Sequence, residues 1–321
     1  METFRAYSPE DIILSNLKET SARHACVFEQ ELAHLAELAK ELIEPTADAT
    51  ELLSSLPDFH LSDDAPSDPN HLPQNLKVLH QLGKIHAVEK RTLLCDEIRK
   101  LLQNAGIDFS SAYFTENDLK RASPHIRIAY QKNSLTDLAF LQFSKLFDAP
   151  HAVYFQSFSA ACENVFQEDC DYCILPIENN SEGRLIGFTK LIDRFTLHIA
   201  SISDVTGTDS TRCTRFALIS KNLSFSPLPN KTFSPFLEIA FSPDRENGTT
   251  DLLLAAQLCG LSLYRMDSIP DTENENNLLF HTVFRVTDSS KLPTFLLYLS
   301  MEVPQHRTVG IYTHLPQKTN S

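Results

Sequence analysis

A chain of 321 residues with 42% apolar and 22% charged residues has the composition of a soluble globular protein, with room for two or three domains. Its net charge of −14 argues against nucleic acid or an anionic membrane surface as the main partner, because both need a positive field. No apolar stretch follows Met1 that is long enough for a signal peptide or a membrane span, so a cytoplasmic location is expected.

In chain order, Phe28, Leu32, Leu35, Ala39 and Leu42 fall at helical spacing and predict an amphipathic helix over 22–43, closed by Pro45. Residues 45–74 hold five prolines and several aspartates and read as an irregular connector. A second helix is predicted over 75–104, with Gly106 as its C-cap. No spaced Arg and Lys pattern for holding a dicarboxylate runs along the first helix, where Arg23 and Lys40 lie at the ends, so residues 1–123 read as a helical module for packing or dimerisation.

Beyond Pro124 the texture alternates. Ile126 to Tyr130 is a strand, Ser134 opens a helix through Phe147, Val153 to Phe155 is a strand, and Ser157 caps a helix from Ala160 to Phe166. Tyr172 to Ile177 is the next strand. This β-α-β-α-β series predicts a parallel sheet. A helix over 183–195, a strand over 197–202, a polar loop from Ser203 and a strand over 214–219 follow. After a Pro- and Ser-rich linker, 236–241, 250–258, 261–266, 278–286, 293–299 and 308–312 read as β-α-β-β-α-β, the order of a ferredoxin-like domain. Small domains of that kind often pair edge to edge.

The seven cysteines are odd in number and mostly in apolar context, which suits buried thiols in a reducing compartment. Cys170 and Cys173 have CxxC spacing, but no second pair completes a metal site, and on a strand they point to opposite faces. No metal and no cofactor are expected.

The organising stretch is Asp171 to Gly183, where an apolar strand runs into the polar group Glu178, Asn179, Asn180, Ser181 and Glu182. Polar groups at the carboxyl end of a strand are where open α/β sheets place ligands. Asp171 to Gly183 resembles the Pro-Ile-Glu-Asn-Ser-x-x-Gly motif of prephenate dehydratase, with Asn180 in place of Ser. Ile128-Ala129-Tyr130 with Ser134-Leu135-Thr136, Tyr154 to Phe158, and Cys213-Thr214-Arg215-Phe216 resemble other segments of that family. The last β-α-β-β-α-β unit resembles its regulatory ACT domain.

The resemblance covers roughly residues 126–316. After the helical module over 1–123, it implies one lobe of a periplasmic-binding-protein-like parallel sheet over 124–222 and an ACT-like domain over 232–316. It implies a lyase of phenylalanine biosynthesis that turns prephenate into phenylpyruvate, water and carbon dioxide. Thr214 would be the proton donor, supported by Glu178 and Asn179. Arg215, Phe216, Asn180, Ser134 and Thr136 would bind substrate.

The departures imply weak or no activity. Gln131-Lys132-Asn133 stands in place of a glycine-rich turn, and a short loop from Ser203 to Arg212 stands where the family places its second lobe. Asp267-Ser268-Ile269-Pro270 and Gly248-Thr249-Thr250-Asp251 stand at the motifs that hold phenylalanine, implying Asp267, Ser268, Gly248 and Thr249 as regulatory contacts. A non-catalytic aromatic-amino-acid-binding, regulatory or scaffold protein is the alternative. The ligand would be an aromatic acid or amino acid, and the assembly a homodimer.

Overall fold

The computed structural model describes residues 9–43, 88–104, 125–207, 212–223, 234–242, 249–270, 278–303 and 306–315. The chain opens with α1 (Pro9–Ile43), which begins well before the expected Ala22, and α2 (Val88–Asn104). The connector 45–74, the earlier part of the second predicted helix and Gly106 lie outside the described residues.

A β-α-β-α-β series follows: β1 (Arg127–Gln131), α3 (Ser134–Phe143), β2 (His151–Phe155), α4 (Phe158–Phe166) and β3 (Tyr172–Asn179). Strand β1 pairs in parallel with both β2 and β3. The cap of α3 is Asn133, whose side chain accepts from the N–H groups of Leu135 and Thr136, while its own N–H donates to the Thr136 hydroxyl. Ser157 caps α4 as its sequence position predicts.

Where a helix was expected from Gly183, the chain first makes β4 (Gly183–Arg184), antiparallel to the end of β3, and then α5 (Ile186–Arg194). Gly183 has φ +73, a left-handed conformation that glycine adopts without strain. Strand β5 (His198–Thr206) includes Ser203 and Asp204, which the sequence assigned to a loop, and pairs along its length with β6 (Cys213–Ser220). Strand β6 runs antiparallel to both β5 and β3. The expected parallel sheet is therefore a mixed one.

The C-terminal elements are β7 (Phe236–Phe241), α6 (Thr249–Leu258), β8 (Leu261–Pro270), β9 (Leu278–Val286), α7 (Leu292–Glu302) and β10 (Arg307–Leu315). Their antiparallel strands lie in the order β10-β7-β9-β8, the ferredoxin-like arrangement.

The two halves share one sheet. Strand β10 pairs with β7 on one side and, in parallel, with β5 on the other, giving the order β2-β1-β3-β6-β5-β10-β7-β9-β8. The joint needs close backbone approach: a Cβ on Gly310 would collide with the Ile199 carbonyl oxygen. Helix α2 does not stand apart as a separate module. Its Val88, Leu94, Cys95 and Ile98 share a core with Leu237, Phe284, Phe295 and Leu299 on the helical side of the C-terminal half. Among the described residues no helix is long and apolar enough to cross a membrane.

Candidate functional site

Strand alternation and one bulge decide which groups meet. On β6, Phe216 and Leu218 pack in the core beneath α3, while Ala217 and Ile219 pack in the core on the opposite face. Thr214 therefore shares the α3 face with its partner Val205, and Arg215 shares the other face with its partner Asp204. On β3 the register slips between Pro176 and Glu178, which turns Glu178 to the same face as Arg215. The structure brings Glu178 and Arg215 together and leaves Thr214 on the far side of the sheet.

Arg215 is fully engaged. Its Nε and Nη2 donate to the two oxygens of Asp204 at 2.7 and 3.2 Å, a bidentate pair, and Nη1 donates to Glu178 Oε2 at 3.1 Å. Arg265 of β8 reaches from the C-terminal half to Glu178 at 3.0 Å and to Asp267 at 2.7 Å. Arg184 of β4 pairs with Asp267 at 3.4 Å and makes a short contact with Glu238. Glu238 also accepts from the Tyr312 hydroxyl at 2.8 Å and lies 3.4 Å from His281 Nδ1. His281 Nε2 faces Asp193 of α5 at 3.4 Å, and Asp193 pairs closely with Arg307.

This ladder of alternating charge joins elements of both halves. Its carboxylates are Asp193, Asp204, Glu178, Glu238 and Asp267, and its guanidiniums are Arg184, Arg215, Arg265 and Arg307. Burial pushes the Glu238 carboxyl up, but the Arg184 charge and the bond from His281 outweigh it and hold the carboxyl well below the usual range. Asp204 is likewise pushed up by burial and held far down by His314 and Arg215.

Above the ladder lies a cleft lined by Glu178, Arg215, Arg265, His314 and an aromatic shelf. The shelf is Phe236, whose ring centroid lies 5.1 Å from that of Tyr264 and 5.9 Å from that of Tyr312. Tyr264 is half exposed, on a strand whose register slips between Leu263 and Arg265. The space within measures about 40 Å³, room for roughly three waters and far less than a ligand pocket holds.

The remaining predicted residues are dispersed. Asn179 Oδ1 accepts from Ser181 N, Ser181 Oγ and Glu182 N, forming the turn between β3 and β4. Asn180 holds the start of β6 through the Cys213 backbone. Phe216 is in the core and Thr136 is buried in the α3 cap, with Ser134 exposed beside it. Asp267 lies on the cleft face, while Ser268, one residue on, turns to the other face of β8 with Met266. Thr249 opens α6, whose first turn includes Asp251 paired with Arg91 of α2 at 2.7 Å, and Gly248 lies outside the described residues.

Sequence reading missed Asp193, Arg184, Asp204, Glu238, Arg265 and His281. A signal existed for two of them: Glu238 interrupts the apolar strand Phe236–Phe241, and His281 interrupts Leu278–Val286. A charge inside an apolar strand needs a buried partner.

Fold and site together define a mixed α/β chain with one shared sheet and a self-paired charged cleft at the junction of its halves. No family model matches the sequence, and no curated protein matches it. Among solved structures, prephenate dehydratase from Streptococcus mutans is similar over 60% of this chain and 100% of its own, with TM-score 0.49 and 17% identity. GqqA, described as a novel type of quorum-quenching acylase, is similar over 62% of this chain and 100% of its own, with TM-score 0.46 and 18% identity. Prephenate dehydratase from Arthrobacter aurescens in complex with L-Phe is similar over 58% of this chain and 90% of its own, with TM-score 0.45 and 16% identity. Likeness at this level assigns no residue and no reaction.

Proposed function

We propose that this protein is a non-catalytic relative of prephenate dehydratase, a binding or regulatory scaffold in which a dehydratase-like lobe and an ACT-like unit are fused through one sheet. The observation that carries the reading is the state of Arg215. A dehydratase site needs a hydroxyl proton donor and a cation on the same substrate, yet every guanidinium nitrogen of Arg215 is held by Asp204 or Glu178 and Thr214 lies across the sheet. Among the described residues no second lobe interrupts the β5–β6 pair and none forms the far wall of a two-lobed cleft.

The ligand class in this reading is a small aromatic acid or amino acid, which the aromatic shelf of Phe236, Tyr264 and Tyr312 favours. The assembly is a homodimer pairing through the ACT-like unit, in the cytoplasm, with no nucleic-acid or membrane partner.

The test is direct. Purified protein at high concentration is incubated with prephenate and phenylpyruvate is followed by absorbance. No formation above the uncatalysed rate is expected, for wild type and for Thr214→Ala alike. Turnover by wild type that Thr214→Ala lowers by orders of magnitude, with the fold intact, overturns the reading. A thermal-melt shift with L-phenylalanine supports the binding role.

A further inference from the structure

We propose that His281 is a proton-dependent latch between the two halves of the protein. Its imidazole is completely buried at the centre of β9, and both ring nitrogens face carboxylates from different elements. Nε2 lies 3.4 Å from Asp193 Oδ2 of α5, in ion-pair reach but off hydrogen-bond alignment, and Nδ1 lies 3.4 Å from Glu238 Oε1 of β7. Arg184 Nη2 of β4 stands 3.3 Å from the same Nδ1. The other charged groups around it are Asp267, its register partner on β8, and Arg307 of β10, which pairs with Asp193.

Two states follow from this geometry. With both nitrogens protonated, the charged ring attracts Asp193 of α5 across the junction of the halves and Glu238 of β7 within its own half. With one proton lost, Nδ1 carries a lone pair that repels the Glu238 carboxylate and accepts from Arg184 instead. The near-equal distances from Nδ1 to Glu238 and to Arg184 poise it between these partners. The ladder also carries one more carboxylate than guanidinium, which favours a positive charge on His281.

Burial pushes the His281 imidazole down, but the neighbouring Asp193 and Glu238 carboxylates outweigh it and raise it above its ordinary value. Its contribution to folding stability is therefore full below about pH 6.5, the unfolded value, and is lost as pH rises through the higher folded value. Loss of the proton weakens the attraction to Asp193 and loosens the contact of α5 with the C-terminal sheet.

The experiment compares thermal unfolding of the wild type and His281→Gln between pH 5.5 and 8.5, with nitrogen-15 NMR of labelled histidines in the wild type. The midpoint of the wild type should exceed that of the variant by a margin that shrinks, on the order of a few degrees, as pH rises. The NMR spectrum should show a histidine protonated at both nitrogens above pH 6.5, absent from the variant, and hydrogen exchange in α5 should accelerate as it titrates. A margin independent of pH overturns the latch. If the variant does not fold, the wild-type spectrum decides: a buried histidine that stays singly protonated throughout overturns it equally.

Discussion

The two faces of the C-terminal sheet are buried by opposite means. On the helical face, Leu237, Ile239, Phe284 and Ile311 meet α6, α7 and the borrowed helix α2 in an apolar core. On the other face, Ala240, Val309 and Tyr312 pack with Ile199 and Ile202, but at its centre Glu238, held by the Tyr312 hydroxyl, and His281 meet Arg184 and Asp193 of the other half through charges. The helical face gains stability from area removed from water and tolerates small errors of fit. The ionic face is held only if every charge is matched, because one unmatched ion in that interior is very costly.

The sharpest way to break this comparison is on the ionic face. Glu238→Ala leaves Arg184, only 12% exposed, with its main partner gone, and should cost about 3–5 kcal/mol in urea unfolding. A loss under about 1 kcal/mol would mean that water reaches the cluster and the charges are not truly buried. Acid probes the same face. Because Glu238, Asp204 and Asp193 are held below the ordinary carboxylate range, their stabilisation is present above about pH 4 and lost as pH falls through their folded values. Wild type should therefore lose stability steeply below pH 4, and Glu238→Gln less steeply.

On the apolar face the matching probe is Ile98→Ala in α2. Ile98 is fully buried, and truncation should cost about 2–5 kcal/mol if α2 is part of the C-terminal core. An appendage that merely rests there would lose far less. The seam between the halves has its own probe. Gly310→Ala forces β10 away from Ile199 and should cost about 1–3 kcal/mol, with faster hydrogen exchange in β5 and β10 but not in β1 or β2.

Local pattern carried much of this architecture and almost none of the site. Strands β7 and β9 were legible to the residue because apolar runs end at turn-forming neighbours. Strand β5 was cut short because Ser203, Asp204 and Thr206 look like loop residues, and only the ladder to β6 makes them strand. Glu178 and Arg215 were each singled out by their motifs, though not as partners of one another. That Thr214 stands apart from Arg215 follows from alternation, which the sequence does contain. The bulge at Glu178 and the pairing of β10 with β5 do not, since register between distant strands leaves no local signature. For the same reason Arg265 and Asp267 could not be seen as partners of Glu178 and Arg184.

The smallest expected effect separates the rim of the ionic face from its centre. Arg265 bridges Glu178 and Asp267, but all three side chains keep about a quarter to a third of their surface in solvent. Pairs so exposed are worth roughly 0–1 kcal/mol. Arg265→Ala should therefore change unfolding stability by no more than about 1 kcal/mol while removing the side chain that spans the cleft from the C-terminal half. Glu178 keeps Arg215 as a partner, and Asp267 keeps Arg184, so neither carboxylate is stranded. A loss as large as that of Glu238→Ala would mean that the ladder is cooperative from end to end, with rim and centre forming one unit. Near-neutral stability would place the division between them at Arg184, where exposure falls and the pairing turns inward.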